Sequence, residues 1–451
     1  MSIVHSSVVD APIAEVFEWF GRPGAFTRLS PPWQPVRLTQ ESSSLAHGQA
    51  ILGLPAGLTW AARHDPDAYD PPRRFADHVA RSGLSSLPVA WMMRWNHVHE
   101  FTEHGPAQTR VTDRVETWLG SRVLRPMFVY RHQQLADDLA AHQWATAVGA
   151  GPSTIAVTGA SGLVGSALSA FLTSGGHRVV RLVRRAPQGP DERHWDPQRP
   201  APSLLDGIDA VVHLAGESIA GRFTAEHKRA IRDSRITPTR LLVDCAVGAG
   251  VHTFVAASAI GFYGAERGDE VLDESSDRGQ GFLAGVVADW EAATAPAADV
   301  GIRVVNIRTG IVQSPRGGTL RIFRPLFSAG VGGPLAGGRQ WTSWIDIDDL
   351  VDVYHRALFD RRLAGPVNAV APHPVRNAEY TSTLARVLGR AAPFPVPAFA
   401  PQAVLGSEGS AELAEADQRV RPASLQAVGH AFRRGDLESS LRHQLGRNRR
   451  P

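Results

Sequence analysis

Residues Thr154–Gly165 read T-I-A-V-T-G-A-S-G-L-V-G. A short apolar run, Ile155 to Val157, enters a glycine-rich turn. Apolar residues then recur at helical spacing at Leu163, Val164, Ala167, Leu168 and Leu172. Gly159, Gly162 and Gly165 have the spacing G-x-x-G-x-x-G. Strand, tight turn and helix in that order open a dinucleotide-binding unit. The first glycine permits the turn, the second lets backbone approach a pyrophosphate, and the third lets helix pack on strand. The helix N-terminus offers its free N–H groups to the phosphates. The contacts expected from this spacing are Gly159, Gly162 and Gly165.

From this stretch onward, strand and helix patterns alternate. Strands are expected at 154–158, 178–183, 210–214, 253–258, 303–307 and 366–370. Helices are expected at 162–174, 225–234, 237–249 and 283–295. That order predicts an α/β Rossmann-type doubly wound parallel sheet. Residues 154–390 are read as this domain. Residues 391–451 are read as a small, mostly helical C-terminal domain that begins with the proline-rich stretch 391–401. At the end of the second strand the chain reads Val183-Arg184-Arg185, with no carboxylate to hold a ribose 2′-hydroxyl. Two guanidiniums suit a 2′-phosphate, so the expected cofactor is NADP rather than NAD.

Upstream, residues 1–147 carry no nucleotide motif. Asp10-Ala11-Pro12 opens a helix with apolar positions at Ile13, Val16, Phe17 and Phe20. Alternating segments at 50–54, 58–64, 74–79, 91–101 and 109–118 predict an antiparallel sheet, and 123–142 a closing helix. Ala147 to Ser153 reads as a flexible linker. Trp91, Trp95, His97 and His99 invite a metal or haem reading. Alternation puts both histidines on one strand face, but no third ligand has convincing spacing, so no metal is expected and the histidines are read as sitting at a sheet or cavity rim.

Composition narrows the rest. The chain has 451 residues, one cysteine (Cys245) and a net charge of +3. One cysteine allows no intrachain disulfide and no cysteine-cluster metal site. No run is long and apolar enough for a membrane span, and the N-terminus lacks a signal-peptide pattern; both suit the cytoplasm. The basic residues form only Arg-Arg pairs and the tail R-N-R-R-P, read as solvated, so no nucleic-acid partner is expected. The only lysine is Lys228.

Two resemblances add to this reading. The order β-α-β(several)-α, with G-A-F-T-R-L-S-P-P-W (24–33), W-A-A-R-H (60–64) and W-N-H-V-H-E-F (95–101), resembles the START/polyketide-cyclase-like (SRPBCC) superfamily, an α+β helix-grip fold. That resemblance implies an apolar ligand held between sheet and long helix. The glycine turn, H-L-A-G-E-S-I-A (213–220), I-R-D-S-R-I-T-P-T-R-L-L (231–242), A-S-A-I-G-F-Y-G (257–264), the stretch 332–350 and the stretch 366–380 resemble the atypical "epimerase family" branch of the extended short-chain dehydrogenase/reductases, which ends in a C-terminal domain of unassigned function. This second resemblance implies NADP contacts at Gly159, Ser161, Gly162, Leu163, Val164, Arg184, Arg185, Ala215, Gly216, Glu217 and Ser218. It also implies a cleft for a small-molecule substrate, built from the segments after the fourth, fifth and sixth strands and the C-terminal part.

Most of the wider superfamily uses Tyr-x-x-x-Lys, in which lysine lowers the tyrosine pKa and tyrosine moves the substrate proton. This chain cannot supply the pair. Four residues before Lys228 stands Thr224, and the helix that should carry the pair reads F-L-A-G-V-V-A-D-W-E. Ser258, at the end of the fourth strand, and Tyr263, with Arg267 four positions on, remain as candidates for proton work. Asp346, Asp348 and Asp349 in W-I-D-I-D-D-L are read as helix-start carboxylates rather than metal ligands. Two functions stay open: an NADP-dependent oxidoreductase or epimerase with altered proton chemistry, and a non-catalytic NADP-bound sensor or scaffold.

Overall fold

Alternation in the first part of the chain does build an antiparallel sheet. In the computed structural model, which describes residues 2–392, 395–397 and 399–448, its strands are β1 (Ser2–Val9), β2 (Arg37–Gln40), β3 (Gln49–Gly53), β4 (Thr59–His64), β5 (Arg74–Ala80), β6 (Trp95–Gly105) and β7 (Gln108–Thr117). They lie in the order β1-β7-β6-β5-β4-β3-β2. The pleat sorts the side chains: on β7, Thr109, Val111, Asp113, Val115 and Thr117 are buried, and Gln108, Arg110, Arg114 and Glu116 are exposed. Helices α1 (Ile13–Gly21) and α2 (Ala25–Leu29) follow β1, α3 (Leu87–Met92) precedes β6, and the 27-residue α4 (Ser121–Ala147) follows β7. On α4, Leu124, Met127 and Phe128 pack with Ile3, Trp95 and Val115. Further along it, Leu135 and Leu139 pack with Phe17, Phe101 and Val111.

Two expectations for this region change. The strand expected from Trp91 begins only at Trp95, because Pro88 starts the short helix α3 and leaves Trp91 80% exposed. His97 and His99 do share a face, but they are buried inside, not at a rim.

The second sheet contains β8 (Thr154–Thr158), β9 (Arg178–Val183), β10 (Glu192–His194), β11 (Ala210–His213), β12 (Thr253–Ala259), β14 (Arg303–Thr309) and β18 (Gly365–Ala369), all parallel, in the order β10-β9-β8-β11-β12-β14-β18. Its six expected strands are present. The seventh, β10, reads E-R-H and has no apolar run to announce it. Helices α5 (Leu163–Ser174), α6 (Ala225–Asp233), α7 (Ile236–Ala249), α8 (Phe282–Ala292) and α9 (Ala295–Asp299) supply crossovers. Strand order reverses around β8, so the crevice for a ligand lies past the carboxyl ends of β8 and β11.

Three two-stranded pairs decorate this sheet: β13 (Glu266–Leu272) with β20 (Asp417–Val420), β15 (Ile311–Gln313) with β17 (Trp344–Asp346), and β16 (Trp341–Thr342) with β19 (Val375–Arg376). The remaining helices are α10 (Gly318–Ser328), α11 (Ile347–Phe359), α12 (Asn377–Leu388), α13 (Phe399–Gly409), α14 (Ala423–Ala427) and α15 (Leu437–Gln444). Pro393, Phe394 and Ala398 of the proline-rich stretch, and Arg449–Pro451 of the basic tail, lie outside the described residues. The chain divides into two compact units. One holds the residues up to Gly149, Ala170–Gly176 and the stretch from His443; the other holds Ala150–Ser169 and His177–Arg442. No helix among the described residues is long and apolar enough to cross a membrane.

Candidate cofactor and active site

The glycine turn closes as its spacing predicts. Gly159 has φ +65°, a conformation L side chains rarely adopt. Any Cβ there would meet the backbone of Leu214 at 2.9 Å. A Cβ on Gly165 would fall 2.2 Å from the Gly159 carbonyl oxygen. The third glycine therefore seats the start of α5 directly on the turn. The Gly162 N–H donates to the Gly159 carbonyl at 2.9 Å. Among the described residues, the N–H groups of Ser161, Leu163 and Val164 meet no protein acceptor. They are the open donors of a helix N-terminus, where an anion is favoured.

The loop after β11 is fixed to this turn from below. Thr158 Oγ1 accepts from the N–H groups of Leu214 (3.0 Å) and Ala215 (3.1 Å) and lies 2.8 Å from His213 Nδ1. With both lone pairs used, the threonine hydroxyl must donate to Nδ1. His213 Nε2–H then donates to Thr239 Oγ1 at 3.0 Å, which also accepts from Trp290 Nε1 and donates to the Arg235 carbonyl. Every buried polar atom of this chain of bonds is satisfied by one tautomer. His213 is accordingly a positioning group for Ala215 and Gly216. Arg235 completes the support: it donates to the Glu217 carbonyl at 2.8 Å and stacks over Trp290. Ser234 Oγ accepts from the Glu217 N–H, and Ser218 Oγ from the Ala220 N–H.

Burial, aided by the nearby Arg235 charge, lowers the His213 pKa to about 4 from 6.5. The folded state refuses a proton that the unfolded chain accepts below pH 6.5. This contribution to stability is whole above pH 6.5 and is lost as pH falls toward 4, by about 3 kcal/mol. His213→Gln should flatten the stability-versus-pH curve between pH 4 and 6.5 by up to one proton, about 1.4 kcal/mol per pH unit. Urea titrations across that window measure it, and an unchanged slope would refute the assignment.

Arg184 and Arg185 stand exposed just past β9, and the structure separates them. Arg185 is clamped by Glu192 of β10, with two N···O distances of 2.7 Å. Arg184 makes no hydrogen bond or ion pair among the described residues. β10, unforeseen from the sequence, therefore leaves one arginine engaged and one available.

Ser258, Arg308 and Asn368 are neighbours across β12, β14 and β18. Ser258 Oγ donates to Glu291 Oε1 of α8 at 2.5 Å. Arg308 grips both oxygens of Glu291 at 2.8 Å and donates to the Tyr263 hydroxyl at 3.0 Å. Tyr263 in turn donates to Asn368 Oδ1 at 2.7 Å. Thus the two proton-work candidates belong to one network, Ser258–Glu291–Arg308–Tyr263–Asn368. Its members come from five separate segments: strand register aligns Ser258, Arg308 and Asn368, and α8 and the turn after β12 bring in Glu291 and Tyr263.

The expected Tyr263–Arg267 contact does not form at the phenol. Arg267 instead donates to the Tyr263 backbone carbonyl and pairs with Glu270. Tyr263 lies in a single 3-10 turn, so its side chain points inward while Arg267 leaves on β13. The ring is fully buried, and burial pushes the phenol pKa up despite Arg308. Both candidates are thus buried and already donate a hydrogen bond, Ser258 to the Glu291 carboxylate and Tyr263 to the Asn368 amide.

Lys228, on α6, is engaged as well. Its Nζ pairs with Glu408 at 2.6 Å and lies 4.7 Å from the Phe282 ring centre. Phe282 starts α8, whose first N–H groups, those of Phe282 and Leu283, both donate to Glu412. Asp346 caps α11 by accepting from the Asp348 N–H at 2.9 Å, and Asp349 accepts from the N–H groups of Arg433 and Arg434.

Comparison with known proteins gives the chain's relatives. Residues 155–369 match the model of the NAD dependent epimerase/dehydratase family, and residues 396–444 match a domain of unknown function, DUF1731. An epimerase family protein of Mycobacterium bovis is 44% identical over 292 residues, which are 64% of this chain and 96% of the relative. A nucleoside-diphosphate sugar epimerase structure from Corynebacterium glutamicum is 42% identical with a TM-score of 0.86, covering 98% of this chain and 90% of that one. The structure of human epimerase family protein SDR39U1 with NADPH is 30% identical with a TM-score of 0.61, covering 65% of this chain and 99% of that one.

Proposed function

The chain belongs to the epimerase family with a Rossmann-type NAD(P)-binding domain and a C-terminal domain of unknown function, and from that membership we propose that it is an NADP-dependent oxidoreductase or epimerase-like enzyme acting on a small-molecule substrate. The observation that carries the reading is the open cradle. Three N–H groups at the start of α5 and the Arg184 guanidinium belong to residues just past the carboxyl ends of β8 and β9, without protein partners among the described residues. The NADPH bound to human SDR39U1 supports the same choice. NADPH, when bound, supplies a hydride. The chain's own residues would bind and orient it: α5 and the turn would hold the pyrophosphate and Arg184 the 2′-phosphate, with the loop after β11 fixed to the turn by Thr158.

Ser258 is the proton-handling group of this reading, its hydroxyl polarised by the Glu291 carboxylate. The test is NADPH oxidation with a panel of ketones, aldehydes and quinones. Turnover that falls at least tenfold in Ser258→Ala, but less than threefold in Tyr263→Phe, supports it. A second reading, an NADP-bound sensor without turnover, is favoured by one observation: α8 begins with Phe282 and contains neither tyrosine nor lysine. Tight NADPH binding with no turnover on any substrate would select it.

For the cofactor, Arg184→Ala should weaken NADPH about tenfold and leave NADH unchanged, the lower end of a charge-assisted bond at an exposed site. Arg185→Ala should do less, because Glu192 already holds that guanidinium. Fluorescence titration of both nucleotides checks this; equal losses for the two would remove the 2′-phosphate argument.

For residues 1–147 we propose the helix-grip fold, supported by the seven-stranded antiparallel sheet and the long α4. A ligand between them would meet aromatic rings and also buried imidazoles. Mass spectrometry of molecules that co-purify tests for it.

A further inference from the structure

The first unit contains a second constellation that the cofactor chemistry does not use. Asp77 stands opposite His97 across β5 and β6, and His99 stands opposite Asp113 across β6 and β7. With His97 and His99 two apart, strand pairing places all four on the inner face. The two histidines and Asp113 are nearly fully buried.

The two carboxylates address opposite sides of the imidazoles. Asp77 Oδ2 lies 3.4 Å from His97 Nδ1 and 4.0 Å from His99 Nε2. Asp113 Oδ1 lies 3.0 Å from the other nitrogen of His97, Nε2, and 2.7 Å from the other nitrogen of His99, Nδ1, the latter without hydrogen-bond alignment. Asp113 is itself oriented: its Oδ2 is 2.9 Å from His132 Nε2, whose Nδ1 is 2.6 Å from Ser7 Oγ. Phe75 stacks on His99 at 4.2 Å, and Phe128 meets His97 edge-on at 5.5 Å.

This is the layering that metal sites require. Bonds of about 2.1 Å put neighbouring ligand atoms roughly 3.0–3.4 Å apart. One ligand atom from each of Asp77, His97 and His99 lies within 4.8 Å of the others, so small side-chain rotations close the set. Metal-bound histidines give their second nitrogen to a carboxylate, which fixes ring and tautomer. Asp113 stands where it can do so for both rings, and a metal on Nε2 would fix the His99 ring that Asp113 alone leaves misaligned. We propose that Asp77, His97 and His99 bind a first-row divalent ion, zinc or iron(II), as a two-histidine, one-carboxylate site, with Asp113 and His132 as positioning residues. Two imidazoles with a single carboxylate disfavour calcium and magnesium, which take oxygen ligands.

The full chain, untagged and stripped with chelator, should take up one equivalent of Co2+ with visible d–d absorption, displaced by Zn2+. Anaerobic Fe2+ titration separates iron from zinc preference, and either ion supports the site. Asp77→Asn, which keeps size and shape, should weaken binding at least 100-fold. Asp113→Asn should weaken it 10–100-fold, as loss of an orienting carboxylate does. NADPH binding by the second unit and the far-ultraviolet circular dichroism report whether each variant is folded. Wild-type protein that takes up no ion at hundred-micromolar concentration overturns the proposal. So does one-equivalent binding that is unchanged in folded Asp77→Asn.

Discussion

Gly165→Ala is expected to strip the protein of most of its NADPH affinity. The added carbon would sit 2.2 Å from the Gly159 oxygen and 2.8 Å from Ala160 Cα. Both neighbours are backbone, so no side chain can swing away. The start of α5 must lift off the turn. Overpacking of this kind costs about 1–3 kcal/mol. Because the strain is relieved only by opening the cradle, the cost reappears as roughly 5- to 150-fold weaker binding. Gly285→Ala is the matched control. It lies inside α8 with nothing within 4 Å of its virtual Cβ, so it should stabilise by about 0.4–1 kcal/mol and leave affinity alone. Isothermal titration with NADPH reads both. Affinity within twofold of wild type in Gly165→Ala would mean that the turn does not form the pyrophosphate floor.

The second unit was legible because its chemistry is local. A parallel strand buried on both faces must be a continuous apolar run, and Ile155–Val157, Val179–Val180 and Val211–Val212 are such runs. The glycine turn is read from adjacent residues. What escaped is what register creates. Glu291 is 33 positions from Ser258, and Arg308 is 45 from Tyr263; no spacing rule links them. The Tyr263–Arg267 expectation borrowed helical i+4 logic for a chain that turns into a strand. Linear spacing offers His97 and His99 no third group, because Asp77 stands beside them only through the β5–β6 pairing. Alternation extends the β6 strand back to Trp91, but Pro88 makes a helix start there.

Arg308→Met should cause the largest loss of stability in the second unit. It leaves the Glu291 carboxylate, whose side chain is 13% exposed, with Ser258 as its one remaining hydrogen-bond partner in the network. Breaking a buried pair on one side costs about 3–5 kcal/mol. For a unit of this size that is a fall in Tm of roughly 6–20 °C. The double variant Arg308→Met with Glu291→Met removes both charges, and it should recover most of the loss, since an apolar pair of similar volume replaces the ions at little net cost. The pair of variants separates fold from chemistry. If Glu291 serves only to neutralise Arg308, the recovered double variant will turn over NADPH as wild type does. If Glu291 polarises the Ser258 hydroxyl, the double variant will be stable and bind NADPH, yet remain as inactive as Ser258→Ala. A single Arg308→Met change that costs under 1 kcal/mol in urea unfolding would show that the pair is not the buried support described. The activity of the double variant then decides whether Ser258 works with Glu291 or without it.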